Sequence, residues 1–315
     1  VYTCPLHEIN TFFPAYSEAE RTRAFLKVQD GCDYFCAYCT VPFARGRSRS
    51  GEIDDLCQQA DFLGNEGKKE IVITGINVGD FGKNTKNNFF DLIKALDKVD
   101  SVERYRISSL EPELLSEEMI RYILDSKRFM PHFHLPLQTG CDELLRNMKR
   151  RYDTEIFNSR IKQIRSFSTT AGIGVDVIVG LPGETEENFI QTYDFLNQID
   201  ISYLHVFSYS KRKNTMAARM DGHIPDKLIT ERSHKLQNLS VRKYNEFIRK
   251  NIDRDHKVLF EDTFPNNIFF GYTENYIRVG YRGTENIRGK VYEGKMTEET
   301  ITNELPLIQI KNKYL

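Results

Sequence analysis

The sequence predicts an α/β protein, a parallel sheet wound from βα units, with a small all-β unit after it. Three observations carry this prediction. Six short apolar runs alternate with five amphipathic helical stretches between residues 24 and 209. A long polar helix rich in Lys and Arg spans 226–252 and closes that region. Beyond about residue 254 the pattern changes to short apolar runs separated by turn residues. The parallel sheet can be an open doubly wound layer or a partial TIM-like barrel. In both, the chemistry sits at the C-terminal ends of the strands.

The elements follow in order. Residues 1–23 hold Pro5 and Pro14 among scattered polar groups with no sustained period, which reads as a linker or an arriving strand. Apolar runs predict strands at 25–29, 70–74, 104–108, 132–137, 174–179 and 203–209. Helical spacing predicts helices over 53–65, 89–99, 116–125, 154–167 and 185–197. Glu184, Glu186 and Glu187 put acids at the start of the last, where the helix dipole favours them. In the tail, 258–261, 268–272, 276–279, 289–292 and 307–310 read as short strands. No repeat of fixed period and no low-complexity tract interrupts this order.

Composition sets the class. At 315 residues the chain suits about two domains, and 40% hydrophobic with 28% charged residues is ordinary for a globular protein. No apolar run approaches the roughly 20 residues of a membrane helix, and no basic n-region precedes an apolar stretch, so no membrane partner and a cytoplasmic location are expected. The formal charge of −1 does not by itself select a nucleic-acid partner. The first residue is Val1, so a processed, cut or partial chain is expected. Six cysteines are too few for a disulfide scaffold, and they are uneven: Cys4, Cys57 and Cys141 stand alone, while Cys32, Cys36 and Cys39 fall within eight positions.

That cluster follows directly on a predicted strand. Three close thiolates can hold three irons of a cubane and leave the fourth iron open to an outside ligand. Zinc would want a fourth protein ligand, from His7, Cys57, His132 or His134. His132 and His134 lie two apart and share a strand face, but no second paired Cys or His motif is present. Ligand counting favours a [4Fe–4S] cluster. Cys57, on an amphipathic helix, and Cys141, at a helix start, read as packed residues, and His205 as a core or site-wall residue.

The arrangement Cys32-x3-Cys36-x-Tyr38-Cys39 resembles the signature of the radical S-adenosylmethionine (SAM) superfamily. The resemblance implies that Cys32, Cys36 and Cys39 bind a [4Fe–4S] cluster whose open iron takes the amino and carboxylate groups of SAM. An electron from a low-potential donor then cleaves SAM to methionine and a 5′-deoxyadenosyl radical. It places Tyr38 near the adenine and turns the strand ends into SAM contacts. Gly75, after the second strand, allows close backbone approach. Ser109 and Glu111 follow the third strand and Gln138 the fourth. Asp176, Ile178 and Gly180 lie on the strand that resembles the adenine-contacting one. The fold this implies is a partial (β/α)6 TIM-like barrel.

Longer strings, at 23–32, 42–50, 107–112 and 205–212, resemble the methylthiotransferase family of that superfamily. Within it the strings at 204–212 and 271–276 are most like the branch acting on threonylcarbamoyladenosine beside the tRNA anticodon. The branch acting on isopentenyladenosine and the one acting on a ribosomal protein are the alternatives. A non-catalytic, zinc-containing RNA-binding protein is the alternative of another class. Members end in a TRAM-like RNA-binding β barrel, which implies a linker at 1–20, a radical SAM domain at 21–253 and a TRAM-like domain at 254–315. The implied partner is tRNA. Three basic groups suit its phosphates: Arg45, Arg47 and Arg49; Lys149, Arg150 and Arg151; Lys211 and Arg212, with Lys213 beside them. Phe269, Phe270, Tyr272, Tyr276 and Tyr281 could stack bases.

Two departures stand out. The family's Pro-Gly-Thr is here Lys213-Asn214-Thr215, and Asn tolerates the left-handed conformation such a turn needs. Members also carry an N-terminal domain whose three further cysteines hold an auxiliary [4Fe–4S] cluster, expected only in the full-length enzyme. Cys4 cannot supply three ligands, so this chain alone is expected to cleave SAM and bind RNA without completing methylthiolation.

Overall fold

The computed structural model describes residues 11–17, 22–83, 85–264, 267–300 and 305–313. Residues 1–10 and 18–20 of the expected linker, with Cys4 and His7, lie outside the described residues. The strand β1 (Ala15–Tyr16) lies antiparallel against the edge of β2 (Arg23–Lys27). The ribbon of β3 (Gln29–Asp30) and β4 (Arg49–Ser50) frames the cysteine loop, which also carries the short helix α1 (Val41–Arg45).

The remaining core alternates strand and helix. After α2 (Ile53–Asn65) come β5 (Glu70–Thr74), α3 (Phe89–Leu96), β6 (Arg104–Ile107) and α4 (Glu117–Asp125). The second half holds β7 (His132–Gln138), α5 (Asp142–Asn147), α6 (Thr154–Phe167), β8 (Gly172–Val179), α7 (Glu186–Gln198) and β9 (Tyr203–Ser208). β2, β5 and β6 are parallel neighbours, as are β7, β8 and β9. Single parallel bridges, Tyr105 to Phe129 and Ser109 to His134, join the two halves. Each crossover therefore leads to the adjacent strand, and the order never reverses as a doubly wound sheet requires. The sheet is a partial (β/α)6 barrel.

Side-chain alternation explains why these sequences make a barrel. Ala24, Leu26, Ile71, Ile73, Leu135, Ile173, Val175 and Val177 are fully buried in the core shared with the helices. Their neighbours in sequence point into the barrel and are polar: Arg23, Glu70, Arg104, Arg106, His132, His134 and Asp176. Helix starts are fixed locally. Asn88 with Asp91 and Thr185 with Asn188 form capping boxes, while Ser116 and Asp153 cap α4 and α6.

The helix α8 (Asp226–Asn251) packs on β9, where the Ser240 hydroxyl accepts from the Leu204 N–H at 2.8 Å and donates to its carbonyl at 3.0 Å. The tail strands β10 (Asp255–Phe264), β11 (Ile268–Thr273), β12 (Arg278–Arg282), β13 (Val291–Thr300) and β14 (Pro306–Lys313) close a barrel in the order β10-β11-β12-β14-β13. Val258, Phe260, Ile277, Val279 and Met296 fill it.

This small barrel sits on the N-terminal ends of the large barrel's strands. Tyr276 packs on the His132 ring at 4.7 Å with the Arg106 guanidinium 4.6 Å from its centroid. Arg104 and Arg106 donate to the carbonyls of Thr273 (3.3 Å) and Glu274 (3.1 Å). Gly172 has no side chain because a Cβ there would lie 2.2 Å from the Asn275 carbonyl oxygen. The opposite, C-terminal end stays free for a site. Among the described residues, no helix is long and apolar enough to cross a membrane.

Candidate active site

The cysteine loop is anchored by Gln29, which lies in the string 23–32 but was not singled out as a site residue. Gln29 is fully buried; its amide oxygen accepts from the N–H groups of Ile76 (3.0 Å) and Asn77 (2.9 Å). Its amide nitrogen donates to the Gly31 carbonyl (2.8 Å) and the Ser48 hydroxyl (2.9 Å). One side chain thus ties the loop's two ends to the turn after β5. Gly31 has φ +72°, and a Cβ there would lie 2.0 Å from the Arg47 carbonyl oxygen, so only glycine fits. Gly75 packs on Gln29 in the same way, with a Cβ position 3.0 Å from the amide oxygen.

The loop presents Cys32, Cys36 and Cys39 unpaired in disulfides. Each sulfur faces a donor: Tyr34 N–H on Cys32 (3.4 Å), Val41 N–H on Cys39 (3.4 Å) and the Arg150 guanidinium on Cys36 (3.1 Å). Such donors stabilise metal-bound thiolate sulfur. Burial pushes the free Cys32 thiol up to about 11, with Cys36, Asp80 and Cys39 adding repulsion. Burial raises Cys36 as well, against the pull of Arg150. A loop that presents three thiols together suits a cationic metal centre that takes them as thiolates.

Geometry separates the two metal readings. Around one zinc ion, Zn–S bonds of about 2.3 Å put sulfurs about 3.8 Å apart. Among the described residues, the three cysteine sulfurs do not form a group within 4.8 Å of one another. The fourth zinc ligands are elsewhere too. His132 bonds the Tyr203 hydroxyl at 2.7 Å near the small barrel, His134 bonds Asp176, and Cys57 packs on the core from α2. His7 lies outside the described residues. The described residues thus bring no four-ligand set for a single zinc ion to the cysteine loop.

The strand ends divide into two groups. A cavity of ≈ 360 Å³ opens beside Cys39, lined by Tyr38, Gln138, Asp176, Ile178, Phe207 and Arg212 among others. Five of these were marked by the sequence; Phe207, 52% exposed, was not singled out as a site residue. Gln138 has φ +70° at a register shift in β7, which turns it toward the cavity. Glu111 is placed differently: it pairs with Arg150, which also reaches Cys36 and the Tyr38 hydroxyl (3.5 Å). Burial raises the Glu111 carboxyl to about 7 even though Arg150 pulls it down. Ser109 lies half-buried at the β6–β7 seam. Beside it in sequence the buried Ser108 hydroxyl lacks a hydrogen-bond partner, which leaves polar capacity at this end of the barrel. Gly180 has a φ of +84°, and Ile229 from α8 comes 2.5 Å from a Cβ position there, so packing also requires this glycine.

The basic groups split as well. Arg45, Arg47, Lys149, Arg151, Lys211 and Arg212 are exposed. Arg49 is not a free cation: it pairs with Asp30 at 3.1 Å and donates to the carbonyls of Arg45 and Arg47. Arg150 points inward, with a side chain 3% exposed, and belongs to the cysteine site. The aromatics that could stack bases are engaged within the small barrel and against its arginines. Phe269 is buried, Tyr281 packs on Phe260 and Phe269, Tyr272 stacks on Tyr276 beneath Arg23, and Phe270 is half-buried beneath Arg278. Asn214, in place of the family's glycine, adopts φ +68°, so the turn is kept.

Residues 26–196, more than half of the chain, match the family described as the Radical SAM superfamily. The threonylcarbamoyladenosine tRNA methylthiotransferase MtaB of Bacillus subtilis is 39% identical over 289 residues, covering 90% of this chain and 64% of that protein. The MtaB of Aquifex aeolicus is 37% identical, covering 84% and 64%. The tRNA-2-methylthio-N(6)-dimethylallyladenosine synthase of Alkaliphilus oremlandii is 35% identical, covering 88% and 59%. The chain thus spans less than two thirds of the length of these curated relatives. Among solved structures, coproporphyrinogen III oxidase (HemN) from Escherichia coli has a TM-score of 0.51 at 13% identity, covering 81% of this chain and 67% of that one. The radical SAM methyltransferase TsrM from Kitasatospora setae has a TM-score of 0.50 at 17% identity, covering 58% and 36%. The partial barrel, the cysteine loop at its C-terminal end and these matches agree: the chain belongs to the radical SAM superfamily, and its relatives there are methylthiotransferases.

Proposed function

We propose that this chain binds a [4Fe–4S] cluster through Cys32, Cys36 and Cys39, takes SAM beside it, and serves the 2-methylthiolation of N6-threonylcarbamoyladenosine at tRNA position 37. The carrying observation is the loop of three donor-facing thiols beside a cavity, in a chain 39% identical to a protein named for that reaction. When bound, the cluster supplies one electron that cleaves SAM and generates the radical that activates the adenosine. The chain's own residues do the holding. Gln29 and Gly31 fix the loop, and the N–H groups of Tyr34 and Val41 orient two of the sulfurs. Arg150 brings positive charge to Cys36 and holds Glu111 in line with it. Tyr38 and Ile178 give the cavity an apolar wall for a nucleoside, while Gln138 and Asp176 offer hydrogen bonds. The exposed Arg45, Arg47, Lys149, Arg151, Lys211 and Arg212 meet tRNA phosphates. A low-potential donor supplies the electron, and the reaction belongs in the cytoplasm, where tRNA is modified.

The 35% identity to the dimethylallyladenosine synthase favours the sister substrate as the second reading. Mass spectrometry of tRNA nucleosides from a strain deleted for this gene separates the two. Loss of the 2-methylthio form, with threonylcarbamoyladenosine itself retained, is expected. Unchanged 2-methylthio-threonylcarbamoyladenosine contradicts the proposal, and selective loss of the methylthiolated isopentenyl nucleoside assigns the sister branch.

A further inference from the structure

The barrel interior holds a group of side chains of metal-ligating type, apart from the cysteine loop. His134 on β7, Asp176 on β8 and His205 on β9 come from three adjacent parallel strands. The β8–β9 register sets Asp176 directly beside His205, and His134 opposes Gly174, two residues before Asp176. Two-residue alternation turns all three into the barrel. One ligand atom from each lies within 4.8 Å of the other two. His134 Nε2 is 2.7 Å from Asp176 Oδ1, and the two imidazoles are 5.1 Å apart between centroids.

The surroundings favour a ligand set over a buried ion pair. His134 and Asp176 are half-buried and His205 is exposed, so an ion can enter. Asp176 also lines the ≈ 360 Å³ cavity, so coordination positions left open by the protein face that space. The Tyr203 ring, edge-on to His205 at 5.2 Å, supports its lower side, and the Tyr203 hydroxyl is held by His132.

We propose that His134, Asp176 and His205 bind a divalent transition-metal ion, a two-histidine, one-carboxylate site whose open positions face the cavity and accept an oxygen ligand. This donor set suits Zn²⁺, Fe²⁺, Co²⁺ or Mn²⁺ and leaves coordination positions for an outside group. The proposed ion shares Asp176 and its cavity with the SAM site proposed above, so its first test is read on a chain that carries neither cluster nor SAM.

Anaerobic titration with Co²⁺ tests it, using the full chain carrying Cys32→Ser, Cys36→Ser and Cys39→Ser so that thiolates cannot compete. The expected result is one Co²⁺ per chain, with visible d–d bands and no thiolate-to-cobalt charge transfer. Added His134→Ala, Asp176→Asn or His205→Ala should each weaken binding by about 100-fold or more. His205 is exposed, so its replacement leaves packing intact, and circular dichroism checks each variant. A folded chain that takes up no Co²⁺, or binding unaltered by the substitutions, overturns the proposal. The cluster-loaded wild-type chain gives a second reading: one zinc per chain beyond the cluster iron, lost in His205→Ala. Zinc retained in that variant also overturns it.

Discussion

Arg150 shows how one residue changes meaning between sequence and structure. In the sequence it stands between Lys149 and Arg151 and reads as part of a phosphate-binding patch. Lys149 has φ +58°, a left-handed turn at the end of α5, and Arg150 then enters the site while Arg151 remains exposed. Charge type is legible in a sequence, but the direction of a side chain after such a turn is set by tertiary packing. Arg150 touches Cys36, Tyr38 and Glu111 at once, so its loss leaves a largely buried carboxyl, already raised to about 7, without its cation. Arg150→Met should cost about 1.5–3 kcal/mol in denaturant unfolding, the worth of hydrogen bonds to a charged group, and more as pH rises past about 7. Adding Glu111→Gln should recover part of that at the higher pH, because no carboxyl is then left to ionise. Equal, additive losses in the double-mutant cycle would show that the pair is not coupled.

At the scale of elements, the βα repeat was legible because outward-facing strand residues are apolar in strict alternation and the helices carry local caps. α2 and α6 coincide with the predicted 53–65 and 154–167. The short α1 and the two-residue β1, β3 and β4 were not legible, because so few residues carry no period, and of α5 only its start at Cys141 was read. The tail strands extend past their apolar centres, since barrel closure supplies hydrogen-bond partners that no local pattern announces. The cysteine loop was the most legible feature, yet the anchoring role of Gln29, within the string 23–32, was not read because it acts through contacts to residues far along the chain. Gly31→Ala tests that element. A Cβ 2.0 Å from the Arg47 carbonyl, at positive φ, should cost at least about 1–3 kcal/mol and lower the iron bound after reconstitution. Unchanged stability and iron content would show that the loop relaxes freely.

At the scale of the molecule, the two barrels meet through a buried charge network. Glu70 pairs with Arg106 (2.9 Å), Arg104 (3.0 Å) and Arg23 (3.7 Å), and Tyr276 covers the group from the small barrel. No sequence pattern links residue 70 to residue 276, so this closure was not legible. Burial pushes the Glu70 carboxyl up, but Arg106, Arg104 and Arg23 outweigh it and hold the group at about 2, below its ordinary 4.5. A carboxyl depressed in the folded state stabilises fully above about pH 4.5 and loses that contribution as pH falls toward about 2. The shift corresponds to about 3 kcal/mol. Stability should fall across that window in the wild-type chain. Glu70→Gln should flatten this part of the profile and destabilise the chain at neutral pH, because three arginines lose their counter-charge. A wild-type profile that is level between pH 4.5 and 2 would contradict this account.

The central claim is that Cys32, Cys36 and Cys39 hold a cluster with one iron open to SAM. Anaerobic reconstitution with iron and sulfide, followed by reduction and electron paramagnetic resonance with and without SAM, tests it most directly. The account predicts about four irons per chain, a reduced-cluster signal that shifts when SAM is added, and loss of that signal in Cys36→Ala. A colourless chain that takes up no cluster, or a cluster whose signal ignores SAM, would contradict it.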